Sequence, residues 1–170
     1  KNDLIFVPGL DSTLLLDSLF HEKLGPFYQW LHEQHQEGVI ICSVCTGAFL
    51  LAEAGLLNDQ ECTTHWKYLE AFKKSYPQVT LLGQRIFVES DKIFTSAGVS
   101  SGIDLALFIL EKTYGSFFAA QIAREVVVYH RRAEDDPQLN IFLKYRNHQE
   151  NRVHEVQNWL SQHLKEAVTI

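Results

Sequence analysis

The stretch Val39-Ile-Ile-Cys42-Ser43-Val44-Cys45-Thr46-Gly47 constrains this chain more than any other. A short apolar run suited to a buried strand meets a helix-forming run with almost no connection between them. A sulfur nucleophile stands at the corner, with Ser43 two residues before it and Gly47 two residues after. Such a small-x-nucleophile-x-small spacing is what a strained strand-to-helix turn requires, because larger side chains on either side would collide with the crossing backbone. The predicted geometry puts Cys45 at a helix N-terminus, where free amides favour a thiolate. The Thr46 amide is then placed as an oxyanion-type donor. A buried, inert Cys45 at a tight turn is the alternative reading of the same residues.

The flanking sequence extends this unit into a layered α/β domain. Asp3 to Val7, closed by Pro8-Gly9, predicts a first strand buried on both faces. Phe27 to Glu37 predicts a helix stopped by Gly38, and Thr46 to Ala54 another, ended by Gly55. Thr63 and Thr64 are candidate caps for a helix from His65 to Ser75. Arg85–Glu89 and Lys92–Ser96 predict a β-hairpin turning at Ser90-Asp91. A helix follows from Ser100 or Ser101 with Ile103, Leu107 and Leu110 on one face, and another runs from Ser116 to about Tyr129. Strands alternating with helices predict a mostly parallel sheet between helical layers.

From His130 the chain becomes charged and aperiodic up to Pro137, the pattern of a linker. The division expected is a domain over 1–130, a linker over 131–150, and a further helical segment over 151–170. In that last segment Val153, Val156, Leu160, Leu164 and Ala167 form one apolar face. The chain opens straight into a strand and stops after an amphipathic helix, as expected for a segment of a longer polypeptide.

Charge and cysteine usage narrow the function classes. A formal net charge of −6 disfavours direct contact with a phosphate backbone. Cys42, Cys45 and Cys62 are too few for a disulfide framework, which points to a reducing, cytoplasmic setting. Neither a membrane span nor a leader is expected, since turn residues interrupt the apolar stretch from Gly38 to Leu57. Cys42-x-x-Cys45 matches a dithiol spacing, but Cys42 falls within a buried strand, so redox chemistry is disfavoured. His65 is the candidate base for Cys45, with packing on Trp66 as its simpler role. No metal site or cofactor motif is expected, His32 and His35 lacking a third ligand.

Four segments in order carry a family resemblance: Asp3 to Gly9, Cys42 to Leu57, Thr63 to Trp66, and Phe94 to Leu107. Together they resemble the class I glutamine amidotransferase-like superfamily, and within it the sensor domains of AraC-type transcription regulators. The resemblance implies a flavodoxin-like three-layer sandwich with a mostly parallel sheet and a β-hairpin, usually dimeric. Tyr129 to Arg132, Gln138-Leu139 and Val153 to Leu164 resemble the linker and opening helix ahead of the helix-turn-helix units of such regulators. DNA contact is therefore expected only through a downstream domain. Two departures bear on catalysis. Hydrolytic members carry a histidine just after the region matched by Pro77 to Leu81, where this chain has Gln78, Val79 and Thr80. The superfamily's acidic residue would fall before Lys1, and the second glycine after Pro8-Gly9 is Leu10.

The expectation drawn from these residues is a small-molecule effector site at the elbow. Amides near Gly9 and Leu10 and at Thr46 would hold a carbonyl or carboxylate, with Cys45, His65, Trp66 and Gly98 lining the site. A cysteine-dependent hydratase or amidase-like enzyme, such as an isonitrile hydratase, is the alternative.

Overall fold

The computed structural model describes residues 3–139, 144–146 and 149–165, and divides the chain into two compact units, Lys1–Gln138 and Leu139–Ile170. The first unit is an α/β sandwich. Strands β1 (Leu4–Val7), β2 (Ile40–Val44), β5 (Phe87–Ser90) and β6 (Ile93–Ser96) form one sheet in the order β1-β2-β6-β5. β1, β2 and β6 run parallel, and β5 closes the edge antiparallel to β6. A small parallel pair, β3 (Glu61–Cys62) with β4 (Thr80–Leu81), forms a second sheet beside β5.

Alternation along β2 separates the two helical layers. Ile41 faces a core built with Leu31 of α2 (Gly25–Gln36), Phe49 of α3 (Gly47–Glu53) and Phe72 of α4 (Leu69–Ser75). Cys42 points the other way, into a core with Phe94 and with Leu105 and Ile109 of α5 (Val99–Tyr114). Phe49 and Phe72 meet edge to face at 4.9 Å, an arrangement that favours the ring quadrupoles. Two further helices complete the unit: α1 (Ser18–Lys23), capped by the Asp17 carboxylate, and α6 (Ser116–Glu125).

Several local expectations shift. β1 lies at the sheet edge, and Leu4 and Phe6 are both 43% exposed, so it is not buried on both faces. The hairpin turns at Asp91-Lys92, one residue later than predicted, because Asp91 tolerates the left-handed φ of 53° that this tight turn needs. Thr63 and Thr64 do not cap a helix: both are fully buried, and His65 caps a short 3-10 turn over Trp66–Tyr68 that precedes α4. On α5 Leu107 is buried as expected, along with Ser101, Leu105 and Ile109, while Leu110 is only partly buried and Ile103 is exposed. The helix begins at Val99, earlier than expected, and its N-cap Gly98 donates its amide to the Ser101 hydroxyl oxygen at 2.6 Å.

Residues 131–138, read from composition as linker, are docked on the α/β body and belong to the first unit. Their charges have partners: Arg131 pairs with Glu111, Arg132 with Asp104, and Glu134 with Arg85. In the second unit α7 (Asn151–Gln162) is capped by Glu150, and Arg146 donates to Asn158. Trp159 and His163 stack at 4.2 Å. Val153, Val156, Leu160 and Leu164 are exposed, and Ala167 lies outside the described residues. No helix among the described residues is long and apolar enough to cross a membrane.

Candidate functional site

The elbow is a strained turn. β2 ends at Val44, α3 begins at Gly47, and Cys45 between them takes a left-handed φ of 57°. A non-glycine residue persists there only where its surroundings over-determine it. The Cys45 amide donates to Ser96 O at 2.9 Å, and the Cys45 carbonyl accepts the Thr64 hydroxyl at 3.0 Å. Gly47 is required sterically, since a Cβ there would stand 2.4 Å from Val7 O and 2.8 Å from Pro8 O. Ser43 is fully buried, and its carbonyl accepts the Ser96 hydroxyl.

Thr46 ties the elbow to the loop after β1. Its hydroxyl accepts the Leu10 amide at 2.8 Å and donates to the Leu10 carbonyl at 2.9 Å. The Leu10 amide is thus already bonded within the protein. A cleft of about 600 Å³ opens beside this tie. Gly9, Leu10, Cys45 and Thr46 line it together with an apolar wall of Phe6, Pro8, Val44 and Val99. Phe6 and Val99 were not among the expected site residues. Their signals were positional: Phe6 sits one pleat before Pro8 on an edge strand, and Val99 follows the Gly98 cap.

His65, Trp66 and Gly98 are not among the residues lining this cleft. They lie together beside one another, a Cβ on Gly98 coming within 3.7 Å of His65 Cδ2, and the His65 and Trp66 rings 5.6 Å apart. His65 Nδ1 accepts the Lys67 amide at 3.3 Å, which leaves the proton on Nε2. Burial, and secondarily the charge of Lys67, holds the imidazole below its usual range. Among the described residues no hydrogen bond joins His65 to Cys45. Cys42 and Cys62 are buried, and burial pushes both thiols up to about 12. A reactive Cys42–Cys45 dithiol therefore has no support, because Cys42 is sealed beneath the sheet.

A sandwich with a cysteine elbow opening on a half-apolar cleft defines an amidotransferase-like domain. The profile of the DJ-1/PfpI family matches residues 2–112, and the chain belongs to that family. It is 35% identical over 118 residues to the HTH-type transcriptional regulator CdhR of Pseudomonas aeruginosa, covering 69% of this chain and 35% of that protein. Similarity to an isonitrile hydratase of Pseudomonas putida is 32% over 87 residues, covering 51% of this chain and 36% of that enzyme. An AraC family transcriptional regulator of Pseudomonas putida superposes with a TM-score of 0.58 at 22% identity, over 73% of this chain and 63% of that one. The chain spans about a third of the length of the curated relatives it matches.

Proposed function

We propose that this chain is the effector-sensing domain of an AraC-type transcription regulator, and that the Cys45 cleft holds a small metabolite without turning it over. One observation carries the reading: the elbow is kept while its thiol has no bonded base among the described residues, His65 Nδ1 being engaged with the Lys67 amide. A nucleophile needs an activating group within hydrogen-bond reach, whereas a sensor needs only different affinities for two conformations. The similarity to HTH-type regulators supports the same reading. The effector is expected to be an amino-acid-derived or amine compound, and the Thr46 amide its anchor. The parent protein would be cytoplasmic and homodimeric, and would reach DNA only through a downstream helix-turn-helix domain. Neither metal nor cofactor has a part in this scheme.

The second reading, a cysteine-dependent hydratase, draws on the similarity to isonitrile hydratase. Thermal unfolding in the presence of amine and amino-acid metabolites, with chemical recovery of the compound, separates the two. A sensor gains about 2.7 kcal/mol at a hundredfold excess over Kd and returns its ligand unchanged. Steady product formation that disappears in Cys45→Ala would replace the sensor with the enzyme.

A further inference from the structure

The docked strap 131–138 ends in a side chain with an unusual number of partners. Gln138 Nε2 lies 3.0 Å from Thr64 O, 3.0 Å from Gly83 O, 3.1 Å from Thr63 Oγ1 and 3.2 Å from Arg85 O. Two N–H hydrogens are shared among four oxygens, while the buried carbonyl end of the same amide has no partner among the described residues. The side chain is held for its donor end.

One of those acceptors leads directly to the elbow. Gln138 holds the Thr64 carbonyl, and the Thr64 hydroxyl holds the Cys45 carbonyl at 3.0 Å. That carbonyl belongs to the Cys45–Thr46 peptide. Because the peptide is planar and trans, fixing its C=O fixes the opposite direction of the Thr46 N–H. The other end of the strap is bonded to α5. Arg132 binds the buried Asp104 carboxylate through its main-chain amide at 3.1 Å and through its guanidinium at 2.6 Å and 2.9 Å. It also donates to Ser100 Oγ at 2.9 Å, one residue from Val99 of the cleft wall. The strap is thus fastened by polar bonds to Thr64, which holds Cys45, and to Ser100 beside Val99, and both Cys45 and Val99 line the cleft. Such a segment, with no regular backbone ladder of its own, is the kind that opens separately from the core.

We propose that Gln138 is a positioning residue for the Cys45 elbow, and that the strap carries the state of the cleft to Leu139, where the second unit begins. The role as a carrier rests on the sensor reading above; the positioning role does not. Coupling free energies are reciprocal, so a change at the strap must be felt at Cys45 without any ligand.

The test uses the full chain and reads two quantities in the native state: the rate of Cys45 alkylation by iodoacetamide, and hydrogen exchange at the Ile86 amide, which is bonded to Glu134 O of the strap. Gln138→Ala is expected to change the alkylation rate by about fivefold or more. Thr64→Val, which removes only the hydroxyl bond to Cys45, is expected to do the same and to speed exchange at Ile86. The double variant should go no further than the larger single, since both cut one chain of bonds. Tyr76→Phe, which loses a hydrogen bond to Glu53 far from the strap, supplies the comparison for stability loss alone. An alkylation rate in Gln138→Ala no further from the parent than in Tyr76→Phe overturns the proposal. If Gln138→Ala fails to fold, unchanged Ile86 exchange in Thr64→Val overturns it, and faster exchange upholds it. Coupling found without any metabolite binding leaves the positioning role standing and removes the sensor reading. Metabolite binding without coupling does the reverse.

Discussion

Cys42 and Cys45 lie three residues apart on one strand and turn, yet they occupy opposite chemical worlds. Cys42 sits within the sheet with no exposed surface, packed with Phe94 and Leu105, and its thiol is pushed up to about 12. Cys45 stands past the end of the strand in a left-handed conformation, half-buried on the wall of the cleft. The residue type is the same, so the difference comes from the backbone. One peptide turned to φ 57° takes the second sulfur out of the core, at a cost of about 1 to 3 kcal/mol in conformational strain. The bonds to Ser96 and from Thr64, together with the close approach of the β1 backbone that Gly47 permits, hold that strain in place.

The largest effect expected from this contrast is in thiol chemistry. Under native conditions iodoacetamide should modify Cys45 while Cys42 and Cys62 stay protected until denaturant is added. The ratio of rates should exceed about a hundredfold, because a thiol held near 12 carries only a trace of thiolate at pH 8 and is also sealed from reagent. Peptide mapping after timed quenching reads it directly. Native labelling of Cys42 at a rate comparable to Cys45 would break the comparison.

A smaller effect is expected in stability. Cys42→Ser places a hydroxyl in an apolar core and should cost about 1 to 3 kcal/mol in urea unfolding. Cys45→Gly removes the left-handed strain while adding freedom to the unfolded chain, so the two terms should offset to within about 1 kcal/mol. Should Cys45→Gly lose as much as Cys42→Ser, the turn at Cys45 is not strained in the way its φ implies.

How much of this was legible beforehand depended on distance along the chain. The elbow could be read because its requirements are local: Ser43, Cys45 and Gly47 fall within five residues, and each is demanded by the same turn. Thr46 could be placed for the same reason, whereas Gly9 and Leu10 could be placed beside it only through the family resemblance, Leu10 lying 36 residues from Thr46. Thr64 and Gln138 could not be given their partners, since their bonds span 19 and 74 residues and no periodicity marks them. The strap misled for a physical reason. Charged, aperiodic sequence is a linker only when its charges are solvated, and here Asp104 and Glu111 on α5 and Arg85 before β5 receive them. α5 was read in part: Leu107 is buried, but the buried face is centred on Leu105 and Ile109, and Ile103 lies off it.

The smallest expected effect concerns pH, and it too belongs to the Cys45 end of the strand. His65 follows Thr64, whose hydroxyl holds the elbow, and its imidazole is kept below its usual range chiefly by burial and then by Lys67. In the unfolded chain the same ring titrates near 6.5. Below that value the unfolded chain takes up a proton that the folded ring resists, so the unfolded state binds more protons and stability rises with pH through that window. The contribution is therefore complete above about 6.5 and is lost as the pH falls toward the lowered folded value. Its size is limited because the ring is partly open to solvent. The measurement is the difference in Tm between the parent and His65→Gln at pH 7.5 and at pH 5. The parent should lose more on acidification than the variant, which has no ring to protonate. Parallel losses in the two proteins would mean that His65 is as free to take a proton when folded as when unfolded. The ring's surroundings beside Gly98 would then be no drier than the outer surface, and the Nδ1 bond to the Lys67 amide would not hold the ring neutral.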